Sequence, residues 1–145
     1  MIRFRLYALA LAVTLALPAT ACSKQPLPLS AAAAAQETLA RINQYRQSRN
    51  QIPLELDEKL AALAQEHNLA MRRAGRLSHD NFQQRFDQSG RMMCVENVAW
   101  NALTPAAIVE DWRNSAGHNA NMLNSQIRNA GVAIDAPYAT FFACD

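Results

Sequence analysis

The sequence predicts a small α+β domain, and two observations carry this prediction. Apolar residues recur at helical spacing in three segments, whereas three other short segments are rich in β-branched, aromatic and other apolar residues. Helices and strands do not alternate along the chain, which excludes a doubly wound α/β fold. Residues 36–145 are numerous enough to bury a single core.

The first 21 residues have the pattern of an export signal. Arg3 and Arg5 form a positively charged region, an apolar run extends from Leu6 to Leu17, and small residues suited to cleavage follow. The run is too short for a confident transmembrane helix. We therefore expect residues 1–21 to be a signal peptide.

Cys22 follows the small residues directly, which resembles a bacterial lipobox, where the cysteine is acylated after cleavage. Ordinary secretion, with Cys22 left as a thiol, is the alternative. Residues 22–35 are predicted to be the lipidated cysteine and a flexible tether, since they include Pro26 and Pro28 and no aromatic residue. Acyl chains would hold the protein on a membrane. Ser23 favours the outer membrane, facing the periplasm, if the source has two membranes.

Removal of the signal peptide also removes Arg3 and Arg5, which account for the formal charge of +2. The mature chain is then neutral, which argues against a nucleic-acid partner. We expect a monomer.

Two further cysteines remain when Cys22 is assigned to lipid. Cys94 and Cys144 form an even pair in an exported chain, where disulfides persist. The sequence therefore predicts a structural disulfide between them.

Three helices are predicted from apolar periodicity and from residues typical of helix ends. The first spans 31–49, and its alanine-rich start fits either the helix or the tether. The second begins after Asp57, a typical N-cap, and ends at Gly75. The third begins at Thr104 and Pro105, a hydroxyl cap followed by proline. Their apolar faces carry Leu39, Ile42, Tyr45, Leu60, Leu63, Ala64, Met71, Ile108, Val109 and Trp112.

Short strands are predicted at 92–100, 131–135 and 138–144. The last two are joined through Ala136 and Pro137. The three segments together predict a small antiparallel sheet.

Three motifs occur in an order that resembles the CAP superfamily (cysteine-rich secretory protein, antigen 5 and pathogenesis-related 1 proteins) in its short bacterial form. They are LSH at 77–79, ENVAW at 96–100 and WRNSAGHNANML at 112–123. The resemblance covers residues 36–145. It implies an α-β-α sandwich with a three-stranded antiparallel sheet between helical layers.

The resemblance also implies a site. The family has a tetrad of two histidines and two glutamates facing a cleft, and His79, Glu96 and His118 match three of its positions. Ser115 stands where longer members carry the second glutamate. Three interpretations remain open: a zinc shell completed by water, metal-free acid–base chemistry, or hydrogen bonds that only fix the loops in place.

Other motif positions have simpler interpretations. We expect Asn97, Asn114, Ser115 and Asn121 to support the cleft by bonding backbone groups in irregular loops. The remaining positions are predicted to be structural. His67 is expected to be a packing or surface histidine, and Trp100 and Trp112 are expected to be core or cleft-wall aromatics. Val95 stands where the family usually has glycine, so we expect a regular strand there, and the direction of the Glu96 side chain stays open.

The sequence favours a secreted, lipid-anchored binding module of the bacterial envelope, whose cleft holds a divalent metal, a lipid or another envelope component. Whether the protein is an enzyme stays open, and the sequence favours a role without catalysis. Ser78 and Ser115 are not expected to be nucleophiles, because they lack the strained turn that exposes a catalytic serine. A zinc-assisted hydrolase of peptide or cell-wall bonds is the alternative. A purely structural envelope protein is a third interpretation.

Overall fold

The computed structural model describes residues 29–101 and 104–145. The export signal, Cys22 and residues 22–28 of the tether lie outside these ranges. No helix in the described ranges is long and apolar enough to cross a membrane. The elements are α1 (Ala31–Ser48), β1 (Glu55–Leu56), α2 (Glu58–Ala74), α3 (Phe82–Ser89), β2 (Cys94–Trp100), α4 (Pro105–Asn114), α5 (Ala116–Met122), β3 (Asn129–Asp135) and β4 (Tyr138–Cys144).

The ends of the three long helices are fixed by their own side chains. Ser30, Asp57 and Thr104 each accept a backbone N–H in the first turn of α1, α2 and α4, and thereby satisfy donors that have no partner within the helix. Gly75 ends α2 with φ of 65°, a left-handed conformation that glycine adopts at little cost. The ends predicted at Asp57, Gly75 and Thr104 are confirmed, and the alanine-rich segment from Ala31, which fitted either helix or tether, belongs to α1.

Two short helices, α3 and α5, were not predicted. Helix α3 begins after Asn81, whose side chain makes no capping hydrogen bond, and the helix buries only Arg85 and Ser89. Helix α5 also lacks a side-chain cap and buries only Met122. Neither segment carries the apolar stripe by which a helix is recognised from sequence.

The sheet has the strand order β1-β3-β4-β2. Its three long strands pair antiparallel, as predicted. The difference is β1, which pairs parallel with β3 at one edge and has only two residues, both exposed. A strand of that length has no alternation to reveal it.

The sheet lies between two helical layers, and this confirms the predicted sandwich. Successive side chains of a strand point to opposite faces. Along buried β4, Phe141 and Ala143 pack in a cluster with residues of α1 and α4, whereas Phe142 and Cys144 pack with residues of α2.

The predicted disulfide is present. Cys94 and Cys144 are directly opposed on β2 and β4, with their Cα atoms 4.1 Å apart. The bond therefore ties the start of β2 to the end of the central strand, two residues before Glu96.

The two tryptophans have different environments. Trp112 is fully buried and donates its indole N–H to the carbonyl oxygen of Val98, at 3.1 Å. Trp100 is 59% exposed at the end of β2. The prediction that Trp100 is a core residue is therefore wrong, because Trp100 is the last residue of β2 and most of its side chain is exposed.

Candidate functional site

The candidate site surrounds β2, an outer strand of the sheet. Because successive side chains of a strand point to opposite faces of the sheet, Glu96 and Asn97 lie on opposite sides of β2. Glu96 contacts residues of α3 and of the loop that precedes it, whereas Asn97 contacts α5. His79, Glu96 and His118 are thereby close to one another around β2.

Glu96 is held by a two-point ion pair with Arg85 of α3. The Nε and Nη2 atoms of Arg85 donate to Oε2 and Oε1 of Glu96, each at 2.8 Å. Both side chains are almost inaccessible, at 7% and 1% exposed. Nη1 of the same guanidinium donates to the carbonyl oxygen of Asp80 at 2.7 Å. This fork fixes the carboxylate in position.

The carboxyl group of Glu96 is ionised at neutral pH. Burial alone raises its pKa, but hydrogen bonds from His79 and Arg85 and the positive charge of Arg85 outweigh burial and lower the pKa below its usual value. An ionised carboxylate only accepts hydrogen bonds.

His79 is oriented by this carboxylate. Its Nδ1 lies 2.9 Å from Oε1 of Glu96, and since the carboxylate accepts, Nδ1 is the donor. In the tautomer that this hydrogen bond selects, the free lone pair is on Nε2. The side chain is 52% exposed, so the arrangement presents a fixed imidazole to solvent.

His118 lies beside His79, with the two ring centroids 6.3 Å apart. Its Nδ1 is buried and has no hydrogen-bond partner among the described residues. Burial lowers the pKa of His118, and protonation of the neighbouring His79 would lower it further. The second imidazole is therefore neutral at neutral pH.

Asn97 and Asn121 join α5 to β2. The side-chain amide of Asn97 donates to the carbonyl oxygen of His118 at 2.9 Å, and that of Asn121 donates to the carbonyl oxygen of Glu96 at 3.0 Å. Asn121 also donates to the side-chain oxygen of Asn97 at 2.9 Å. These bonds set the position of His118 relative to the strand.

The other two predicted support residues lie apart from this network. Asn114 donates to the exposed carboxylate of Glu110 on its own helix. Ser115 precedes α5 and makes no side-chain capping bond there. Among the described residues, neither side chain is hydrogen-bonded to His79 or His118.

Arg85 and His67 are the members of the site that the sequence analysis missed. His67 is buried as a packing residue, but its Nε2 donates to the carbonyl oxygen of Ser78 at 2.7 Å and lies 3.7 Å from Oε1 of Glu96. A buried glutamate requires a counter-charge. The sequence could therefore have suggested that one of the arginines between the motifs, Arg85 or Arg91, pairs with Glu96.

The arrangement does not fit the zinc shell that the sequence suggested. Arg85 already donates hydrogen bonds to both carboxylate oxygens of Glu96. Of the three predicted ligands, only the imidazoles of His79 and His118 are then left to coordinate a metal ion. Within 29–101 and 104–145, no group of three or more His, Cys, Asp or Glu residues is placed to hold a metal ion. A structural or catalytic zinc takes at least three protein ligands.

We predict that acidification destabilises the protein through His67. Burial lowers the pKa of His67 below its usual value, so the unfolded chain, with a pKa of about 6.5, takes up the proton first. This contribution to stability is complete above about pH 6.5 and is lost as the pH falls toward the folded pKa. Thermal melting should therefore occur at a lower temperature at about pH 5.5 than at about pH 7.5.

The variant His67→Gln is the control, because its amide can still donate to Ser78 but cannot take up a proton. We expect it to melt with a smaller difference between the two pH values. His118 contributes in the same direction, so some difference should remain. An unchanged difference in His67→Gln would contradict the assignment to His67.

Comparison with known sequences identifies relatives of this chain. A model of the CAP, or cysteine-rich secretory protein, family matches residues 39–145. Two Bacillus subtilis proteins, both described as uncharacterized, are similar. YkwD is 29% identical over 112 residues, which are 72% of this chain and 44% of YkwD. The membrane protein YlbC is 42% identical over 55 residues, which are 38% of this chain and 14% of YlbC. The chain therefore matches less than half of either relative's length.

Solved structures share the fold. An extracellular protein containing an SCP domain from Bacillus anthracis has a TM-score of 0.72 at 24% identity, over 82% of this chain and 45% of that one. A cysteine-rich secretory protein from Staphylococcus aureus has a TM-score of 0.69 at 18% identity, over 76% and 37%. An outer surface protein from Borrelia burgdorferi has a TM-score of 0.68 at 18% identity, over 76% and 90%. At these identities the likeness shows the fold alone.

Proposed function

Since the chain belongs to the CAP family, we propose that it is an exported, envelope-bound binding module that binds its ligand at the neighbouring imidazoles of His79 and His118. The export pattern of residues 1–21 and the lipobox-like Cys22 support anchoring to an envelope membrane through lipid. Similar structures come from proteins described as extracellular or as outer surface proteins, which is consistent with export.

The proposal rests on the ion pair and the hydrogen bond that Glu96 makes within the protein. The carboxylate is neutralised by Arg85 and hydrogen-bonded to His79, so it is not available to a ligand. The groups left for a ligand are the Nε2 of an exposed, oriented imidazole and the neutral ring of His118. Such a pair recognises hydroxyl and amide groups by hydrogen bonds. We therefore expect a polar envelope component as the ligand.

The test is a titration of the mature chain with soluble peptidoglycan fragments, followed through the imidazole proton signals of its histidines by NMR. We expect saturable shifts of His79 and His118, and no binding in His79→Ala. Gln83→Ala, an exposed change on α3, is the control and should bind normally. If the signals do not shift with these fragments, peptidoglycan is not the ligand. If they also do not shift with phospholipid vesicles, the result favours a structural role without a ligand.

A metal-free hydrolase is a second candidate, because the dyad of His79 and Glu96 is a carboxylate-oriented imidazole. In that arrangement Nε2 accepts a proton from a water molecule as the water attacks an acyl carbon, and the carboxylate stabilises the imidazolium that results. The imidazolium then gives this proton to the leaving amine or hydroxyl as the acyl bond breaks, which restores the neutral ring. The same peptidoglycan fragments test it by mass spectrometry. Cleavage that is lost in His79→Ala, with the thermal midpoint unchanged, would support the hydrolase, and fragments that bind but stay intact would exclude hydrolysis of these bonds.

A further inference from the structure

A concave surface lies between α1 and α4, apart from the paired histidines. We call it the arginine groove. It is an open depression of about 820 Å³ and is lined by Arg41, Gln44, Tyr45, Ser48, Arg49, Ala106, Ala107, Val109, Glu110 and Arg113. None of the residues that hold Glu96 belongs to it.

The charge of the arginine groove is positive although the mature chain is neutral. Its lining includes three arginines and one glutamate. Arg41 pairs with Glu37 and Arg113 pairs with Glu110, but all four side chains are well exposed, and such pairs hold a charge only weakly. Arg49 makes no ion pair within the described ranges. The groove therefore concentrates positive charge that the domain does not neutralise.

Tyr45 brings two of these charges together. The guanidinium carbons of Arg49 and Arg113 lie 5.4 Å and 4.7 Å from the centroid of its ring, within the range of cation–π contacts. Arg49 extends from the end of α1 and Arg113 from the end of α4. Two arginines from different helices thus meet at one aromatic side chain, which lowers the entropy lost when both bind one ligand.

We infer that the arginine groove binds a phosphate-bearing anion. A guanidinium presents paired N–H donors that match the oxygens of phosphate, and two guanidiniums gathered at one ring supply two such forks. The volume accommodates more than a single phosphate group. The phosphate belongs either to a membrane phospholipid headgroup or to a soluble compound, and the two sources are separable by experiment.

A hydrogen bond joins the lining of the arginine groove to the helix that carries His118. The hydroxyl of Tyr45 donates to the side-chain oxygen of Asn119 at 2.9 Å, and Asn119 follows His118 in α5. Binding in the groove does not depend on the function proposed for the two histidines.

The test uses the mature chain with Cys22→Ser, which carries no acyl group. One arm measures co-sedimentation with phosphatidylcholine vesicles that contain or lack phosphatidylglycerol, and the other measures binding of inorganic pyrophosphate by calorimetry. We expect binding in at least one arm, weakened about tenfold or more in Arg49→Gln/Arg113→Gln. Binding of vesicles alone identifies a lipid headgroup as the source, and binding of pyrophosphate identifies a soluble phosphate. No binding in either arm overturns the inference.

Two further variants separate the groove from general charge. Arg73→Gln/Arg76→Gln removes the same charge from α2 and the loop after it, in the opposite helical layer, and should leave affinity nearly unchanged. Equal weakening in both double variants would overturn the inference. Arg49→Lys/Arg113→Lys keeps the charge but removes the forks, and should also bind more weakly than the parent. Full affinity in the lysine variant would contradict recognition by guanidinium geometry.

Discussion

Replacement of Arg85 by methionine is expected to lower the free energy of unfolding by about 3–5 kcal/mol. The change leaves the ionised carboxylate of Glu96 buried, with only His79 still bonded to it. A buried charge without a counter-charge is among the most costly defects that a single substitution can produce. Urea denaturation followed by circular dichroism measures the loss.

The double variant Arg85→Met/Glu96→Leu distinguishes the ion pair from simple packing. Removal of both charges is expected to restore most of the lost stability, because the desolvation cost of the pair disappears with it. Arg113→Met, which breaks the exposed pair with Glu110, should cost less than about 1 kcal/mol. A loss of that small size in Arg85→Met would show that Glu96 does not depend on Arg85.

Features that depend on neighbouring residues were predictable from the sequence. Asp57 and Thr104 cap helices because their side chains reach N–H groups two or three residues away. Gly75 ends α2 for an equally local reason. The pairing of Cys94 with Cys144 joins residues that are 50 positions apart, but it was predictable because the count of cysteines and the expected export left a single pair.

Two other features depend on distant contacts that no motif or residue count reveals, and these were not predictable. Strand β1 exists because Glu55 and Leu56 lie beside β3, more than 70 residues later in the chain, and its own residues carry no strand pattern. Helix α3 has no apolar stripe because its main buried side chain is Arg85, whose partner is on another element. A buried polar contact of this kind leaves no periodic trace in the sequence.

The candidate site was predicted in its members but not in its chemistry. The motifs placed His79, Glu96 and His118 correctly as a group. The zinc interpretation assumed that the carboxylate of Glu96 was free, and the regular strand at Val95 instead directs Glu96 toward Arg85. The charge state of a motif residue depends on its neighbours in space, which the motif does not specify.

Replacement of Gly131 by alanine is expected to be at least as damaging as loss of Arg85. A Cβ atom at Gly131 on β3 would lie 2.0 Å from the backbone nitrogen of Ala61 and 2.2 Å from the backbone carbon of Leu60. Both atoms belong to the backbone of α2, so no side-chain rotation relieves the overlap. Helix α2 would have to move off the sheet and lose part of the packing of Leu60 and Leu63 on it.

We expect this strain to exceed about 3 kcal/mol, the upper end for ordinary overpacking of a core, and to leave Gly131→Ala unfolded or melting far below the parent protein. Thermal melting followed by circular dichroism measures the effect. Gly117→Ala is the matched control, because a Cβ there meets nothing within 4 Å and the residue lies inside α5. Alanine at a helical position is stabilising by up to about 1 kcal/mol relative to glycine. Equal melting of both variants would show that α2 does not rest directly on the backbone of β3.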